Sequence, residues 1–379
     1  MFRRISFVFL GLLLTISLLL MGGCAKDSDD VVIGEYTSMT GTTADFGKTT
    51  HNGTLLAIEQ INQRGGLLGK KVRLVLEDDR SDPAEAKTVV TKLVTRDKVV
   101  AVLGEVASTR TMTAAPVCQQ AGVPMISPAS TNPRVTDAGD CIFRVCFTDD
   151  FQGAVNAKFA AEHLKVKSAA ILKDIKNDYS MGLAESFAAT FKKLGGTVVA
   201  EESYSEGDTD FSSQITSIKA KNPEIIFVPG YYTEVSLIAI KARQLGIKVP
   251  FLGGDGWDSP SLIRNAGKAL EGSYFSNHFS PESDVPSVKM FVEAYEKRYG
   301  EVPNALAALG YDATWILAEA IKRAGTTDRR ALRDAIAATV DHPGATGTIT
   351  IDENRNARKP AVMIQIVNGK FKQVESIIP

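Results

Sequence analysis

The sequence predicts an α/β protein built as two doubly wound, parallel-sheet lobes joined by a hinge of several crossovers. Three observations carry this expectation. From residue 31 short β-branched runs alternate with longer helical patterns, as in a parallel sheet covered by helices on both faces. Around residue 168 the alternation starts again, with no sequence repeat between the halves. Extended segments, "DCIFRVCFTDDFQG" and "EGSYFSNHFSP", follow the two series and suit passage of the chain between lobes. Ligands of open α/β sheets bind beyond the C-terminal strand ends, so the lobes are expected to share a cleft there.

The elements follow in order. "VVIGEYTSM" reads as the first strand and "TTHNGTLLAIEQINQRGG" as a helix ending at Gly65-Gly66. "KKVRLVLEDD" is a strand; "DPAEAKTVVTKLVTRD" is a helix capped by Asp82 with Pro83 at its first position. "VVAVLGE" is a strand that runs into a helix start rich in small and hydroxyl residues, and "VPMISP" is the next strand. The second series comprises "SAAILKD", a helix over 179–195, "TVVAEESYS", a helix over 211–221, "EIIFVPG", a helix over 232–245, and "VPFLGGDG". Helical stretches near 286–300, 304–324 and 328–340 precede two strand-like pieces, "GTITI" and "PAVMIQIVNGKF". The expected division is residues 31–147 plus 279–352 for one lobe and 148–278 plus 353–379 for the other.

Residues 1–23 read as a secretory signal peptide: two arginines, an apolar run, then small residues before Cys24. An exported protein is therefore expected. Gly22-Gly23-Cys24 resembles a bacterial lipobox, with Met21 where Leu is usual; that resemblance implies a lipidated Cys24 and a polar tether over 24–30. Lys and Arg (43) nearly balance Asp and Glu (44) and no basic stripe stands out, which argues against a nucleic-acid partner. Beyond Cys24 lie Cys118, Cys141 and Cys146, an odd number. One disulfide is permitted in an exported chain, and the sequence leaves its pairing open.

Enzyme chemistry finds no constellation. His51, His163, His278 and His342 are widely separated and none has a partner at metal-ligand spacing. There is no nucleophile elbow, and "GEVASTRT" lacks the lysine of a phosphate loop. "GGLLGK" follows a helix, the wrong context for a dinucleotide. Neither a cofactor nor a metal is expected.

Binding chemistry is better represented. The turn "VLGEVASTRT" offers the Ser108 hydroxyl and helix N-terminal N–H groups to an anion, or Ser108 simply caps its helix; both readings use the same donors. "ISPASTNP" places Ala129 and Thr131 after the next strand, with Ser127 and Ser130 beside them, or is only a turn bracketed by Pro128 and Pro133. Asp255 sits among Gly253, Gly254 and Gly256, where a carboxylate can pair with an ammonium or form an Asx-turn. Asp258 is a second acid close by. Tyr179 and Tyr231 stand at strand-end loops, each able to turn a ring face and a hydroxyl to the cleft.

Together, "TGTTADFGKTTHNGTLLAIEQINQRGGLLGKKVRLVLEDD", "VLGEVASTRT", "GVPMISPASTNP", "FRVCFTDDFQG", "DYSMGLAESF", "FVPGYYTE", "FLGGDGWDSP" and "GTITIDENRN" make the chain resemble the branched-chain (leucine/isoleucine/valine) amino-acid-binding proteins of bacterial ABC importers, with a type I periplasmic binding protein fold. The likeness spans nearly all of the chain after the leader. It implies a monomer that captures an amino acid and delivers it to a membrane permease. It implies that Ser108 and the backbone of Val106 and Ala107 hold the ligand carboxylate, with the Ala129 carbonyl and the Thr131 N–H and hydroxyl. Asp255 takes the place of the family's acidic residue for the α-amino group, and Tyr179 and Tyr231 lie at the ligand. Phe46, where some relatives carry Tyr, and Trp257 shape the side-chain pocket. Two alternatives keep the fold: a ligand sensor for a signalling partner, and a site for a carboxylate or amide without an ammonium. Asp255 discriminates the latter, since such a ligand leaves that carboxylate buried and unpaired.

Overall fold

A computed structural model describes residues 30–377; the leader and Cys24 lie outside the described residues. In the first sheet, β1 (Val31–Thr37), β2 (Val72–Asp78), β3 (Ala101–Leu103), β4 (Met125–Ser127) and β5 (Ile142–Arg144) are ordered 2-1-3-4-5 and all pair in parallel. The second sheet repeats this order with β6 (Ser168–Asp174), β7 (Thr197–Tyr204), β8 (Ile225–Phe227), β9 (Phe251–Gly253) and β10 (Tyr274–Asn277). Winding reverses beside β1 in one sheet and beside β6 in the other. Each reversal opens a crevice at the C-terminal strand ends.

Local chemistry sets the helix ends. Helix α1 (Ala44–Gln63) starts before the predicted Thr49, because Phe46 in its first turn buries its ring against Tyr231 and Tyr232 of the other lobe. Helix α2 (Pro83–Thr95) has the predicted cap: Asp82 accepts the Glu85 N–H at 2.8 Å. Helix α3 (Ser108–Ala121) ends at Gly122 in the left-handed region, φ 63°. Helix α4 (Asp149–Lys158) is not expected from the sequence, where "DCIFRVCFTDDFQG" reads as one extended segment. Only its first part is β5; the apolar alternation hides the helix start at Asp149. Helices α5 (Asp178–Lys193), α6 (Ser212–Ala220) and α7 (Tyr232–Gln244) follow the predicted spans closely, and α8 (Pro260–Ala266) is a short addition.

The chain passes from the first sheet to the second between β5 and α4. After β10 it returns through α9 (Pro286–Tyr299), α10 (Ala305–Ala324) and α11 (Arg329–Ala337) to a small antiparallel sheet of β11 (His342–Gly344), β12 (Gly347–Ile351) and β13 (Ala357–Arg358). Because β13 pairs with β12, the chain stays with this small sheet as far as Arg358. It then runs into β14 (Ala361–Val367) and β15 (Lys370–Ile377), an antiparallel hairpin on the edge of the second sheet. The pattern of "PAVMIQIVNGKF" reads as one strand. Asn368 and Gly369, at φ 53° and 68°, fold it back in the two-residue turn that suits twisted strands.

Helix α10 lies along α1, and glycine sets how close they come. A Cβ on Gly53 would stand 1.9 Å from the Ala307 carbonyl oxygen. Gly53→Ala is therefore expected to push the helices apart and cost about 1–3 kcal/mol, the usual range for overpacking. Thermal or urea unfolding checks it; an unchanged midpoint would show that the pair can separate freely. Cys118, Cys141 and Cys146 are buried free thiols.

Candidate functional site

The loops at the facing strand ends enclose a small cavity. Phe46, Val106, Ala129 and Leu306 line it from the first lobe, and Tyr179, Tyr231, Asp255 and Gly256 from the second. Sequence reasoning named most of these residues. Leu306 it missed: it reaches the cavity from the first turn of α10, more than two hundred residues from the α1 helix beside it, with no local signal.

On the first-lobe side, Ser108 is the first residue of α3 and Ala107 is the cap position, so Ser108 does not cap its own helix. Its hydroxyl instead accepts the Asn132 N–H at 3.1 Å and ties the turn after β3 to the turn after β4. The Ala107 N–H, implied by the resemblance to serve a ligand, donates to the Glu105 carboxylate. Ser127 and Ser130 both donate to the Glu105 carbonyl, at 2.8 and 2.9 Å, and so brace the turn from beneath. Arg144 on β5 donates to the carbonyls of Ser130 and Asn132 at 2.8 and 2.7 Å. Thr131 is buried in this turn, and its carbonyl accepts the Asp149 N–H at 2.9 Å.

Glu105 is a buried acid that the sequence gave no reason to single out. Ser38 donates to it at 3.0 Å and the Arg110 guanidinium stands 3.7 Å away. Burial, reinforced by the negative charge of Asp79, pushes its carboxyl up to about 8 against the opposing pull of Arg110. Burial thus favours the protonated form of Glu105. Its folded-state value lies above the ordinary 4.5, so its contribution to stability is complete below about 4.5 and is lost as pH rises toward 8. Glu105→Gln is expected to flatten that part of the melting-temperature profile between pH 5 and 8. An identical slope in wild type and variant would contradict the assignment.

On the second-lobe side, Asn177 caps α5 and holds Tyr179 in its first turn, and Tyr231 immediately precedes α7. The two rings stack with centroids 5.3 Å apart and planes 8° from parallel. Phe46 meets Tyr231 edge-on at 5.3 Å. The Tyr179 hydroxyl accepts the Gly256 N–H at 3.2 Å. Asp255 opens a short 3-10 turn after β9 and keeps both oxygens engaged: Gln152 Nε2 donates to Oδ1 at 2.8 Å, and His278 Nε2 lies 3.1 Å from Oδ2. Burial holds His278 down to about 4. The ring is therefore neutral at physiological pH, and its Nε2–H is the donor to Asp255.

Trp257 was expected at the side-chain pocket. The structure turns it the other way: it is fully buried beneath β9, its indole N–H donates to the Val228 carbonyl at 3.0 Å, and it is outside the cavity lining. Asp258 also faces away; it accepts the Ala305 N–H at 2.7 Å at the start of α10.

Around the cavity, polar contacts join the lobes. Arg110 donates to Thr43 Oγ1 at 2.8 Å and reaches Glu206 on the second lobe at 3.3 Å. Asp45 accepts from the hydroxyls of Ser259 and Ser261. Asn132 donates to the Asp178 carbonyl at 2.8 Å, and Thr109 Oγ1 lies 3.0 Å from the Asp178 carboxylate. Among the described residues no group of three or more His, Cys, Asp or Glu is placed to hold a metal. The cavity offers one carboxylate at an otherwise aromatic and aliphatic surface, with hydroxyl and peptide groups close behind.

A family model described as "Periplasmic binding protein" matches residues 30–370. The leucine-, isoleucine-, valine-, threonine-, and alanine-binding protein of Pseudomonas aeruginosa is 33% identical over 86% of this chain and 87% of its own. The crystal structure of the leucine binding protein LivK from Thermotoga maritima superposes with a TM-score of 0.89 at 41% identity, covering 92% of this chain and 99% of the other. The branched-chain amino acid transporter substrate binding protein LivJ from Streptococcus pneumoniae, in complex with isoleucine, gives 0.88 at 36% identity over 92% and 100%.

Proposed function

This chain belongs to the periplasmic binding protein family, and from that premise we propose that it captures a branched-chain aliphatic L-amino acid in the interlobe cavity and hands it to an ABC permease. It is an exported solute-binding protein, not an enzyme. The observation that carries the ligand assignment is Asp255, a carboxylate lining a small cavity whose other walls are aromatic and aliphatic. In so dry a site an ammonium is its natural partner. Phe46, Val106, Leu306 and the stacked tyrosines surround the aliphatic side chain. The ligand carboxylate is assigned to the Val106–Ser108 turn and to Ala129 and Thr131.

Binding then works by population shift: the contacts between the lobes and to the ligand exist together only in the closed form. The lobes that move are assigned as residues 31–147 with 279 to about 359, and 148–278 with the terminal hairpin. Thermal unfolding of residues 25–379 with each amino acid tests the reading. Leucine, isoleucine or valine at a hundred times its dissociation constant adds about 2.7 kcal/mol. A shift with 4-methylpentanoate, which lacks the amine, and none with any amino acid would defeat it. A lipidated Cys24 completes the proposal, supported by the Gly22-Gly23-Cys24 pattern; palmitate labelling that survives Cys24→Ala would remove it. The chain acts as a monomer in this reading, with light scattering as the check.

A further inference from the structure

Asp255 is one methylene shorter than a glutamate, and a short carboxylate serves an ammonium only if it is aimed. Its aim comes from two donors on different elements. Gln152 on α4 takes Oδ1 at 2.8 Å, and His278, just beyond β10, takes Oδ2 at 3.1 Å. Each bond uses one lone pair of one oxygen and leaves the remaining lone pairs for the cavity. The His278 ring is itself fixed, stacked on Phe147 with centroids 3.6 Å apart and planes 25° from parallel. All three groups belong to the second lobe, so this half of the site exists before closure.

We propose that His278, with Gln152, is a positioning residue for ammonium recognition: its Nε2–H fixes the Asp255 carboxylate without neutralising it. The proposal rests on the amino-acid reading of the cavity. It depends on an uncharged ring, because an imidazolium would form its own ion pair with Asp255 and oppose the ligand's positive charge. The surroundings keep it uncharged. The ring is buried, and the Lys359 ammonium, which donates to Thr346, adds a positive charge nearby. The second acid of the region, Asp149, is buried and faces the charge of Asp255, both of which favour its protonated form.

Isothermal titration of the full mature chain tests this with L-leucine and 2-hydroxy-4-methylpentanoate, which keeps the carboxylate and side chain but carries no ammonium. His278→Phe retains the ring stack and loses the donor. It is expected to weaken leucine binding tenfold or more and hydroxy-acid binding by less than threefold, so discrimination between the two shrinks. His278→Gln, which restores an N–H donor, is expected to recover part of the loss. Equal losses for both ligands, or no loss for either, would overturn the positioning role. Should His278→Phe fail to fold, Gln152→Met carries the same comparison from the other oxygen. Asp255→Asn separates the two levels: if it binds leucine like wild type, the amino-acid reading fails. If it loses leucine while His278→Phe and Gln152→Met do not, only the positioning role fails.

Discussion

Asp255→Ala is expected to weaken L-leucine binding by at least a hundredfold while leaving the melting temperature of the ligand-free protein within a few degrees of wild type. The first expectation follows from the site's dryness. Removing one partner of a buried, hydrogen-bonded charge pair costs about 2–5 kcal/mol, and about 2.7 kcal/mol is already a hundredfold in affinity. The ligand's ammonium is left among Tyr179, Tyr231 and Phe46, none of which replaces a carboxylate. The second follows from what Asp255 does in the protein alone. It accepts from Gln152 and His278, and in the ligand-free protein, where the lobes are free to part, water reaches the two donors its loss strands, which moderates the penalty. Titration calorimetry with leucine decides it. Affinity within threefold of wild type would mean that the ammonium is bound elsewhere, and the function proposed for the cavity would fall with it.

The sequence revealed the parts of the site that depend on local position. Ser108, Ala129, Tyr179, Tyr231 and Asp255 all follow strands directly, and in a doubly wound sheet that placement alone brings them to one edge. Trp257 shows where such reasoning ends. It stands two residues after Asp255, but the short turn between them sends the indole back under the sheet. Gly253 is its seat: a Cβ there would be 2.1 Å from the indole ring. Three buried charges have no signal in the sequence for a different reason. Glu105, Arg110 and Arg144 fit no periodic pattern, and a charged side chain is ordinarily solvated; only the packing of distant elements buries them. The Asn368-Gly369 hairpin was legible, since Asn-Gly between alternating apolar residues is a strong turn signal, and was overlooked because the pieces on either side read as one strand. Helix α4 lacked such a signal, because its apolar face packs against α5 and forms no contrast with the strand before it.

Arg110 and Glu206 form one ion pair, yet their removal is expected to have opposite signatures. Arg110 is almost wholly buried on the first lobe, among Ser38, Thr43, Asp79 and Glu105. Arg110→Met leaves these acids without their cation in the open and closed forms alike. Breaking a buried pair from one side costs about 3–5 kcal/mol, and the lower end is expected because burial pushes the Glu105 carboxyl up and favours its protonated form. Urea unfolding of the ligand-free protein should show that loss. Glu206 reaches Arg110 and Thr42 from the second lobe, and its side chain is 28% exposed. Glu206→Gln leaves the first-lobe cluster intact and weakens only what forms when the lobes meet. Its effect on unfolding should stay below about 1 kcal/mol, as for other partly exposed pairs. Ligand affinity falls with the fraction of closed molecules, so a comparable bias in the closure equilibrium lowers it about threefold to fivefold for every ligand alike. That uniformity distinguishes Glu206 from Asp255 and His278, whose losses select for the ammonium. If Glu206→Gln instead destabilises the free protein as much as Arg110→Met and leaves affinity unchanged, the pair is part of the resting structure and contributes nothing to closure.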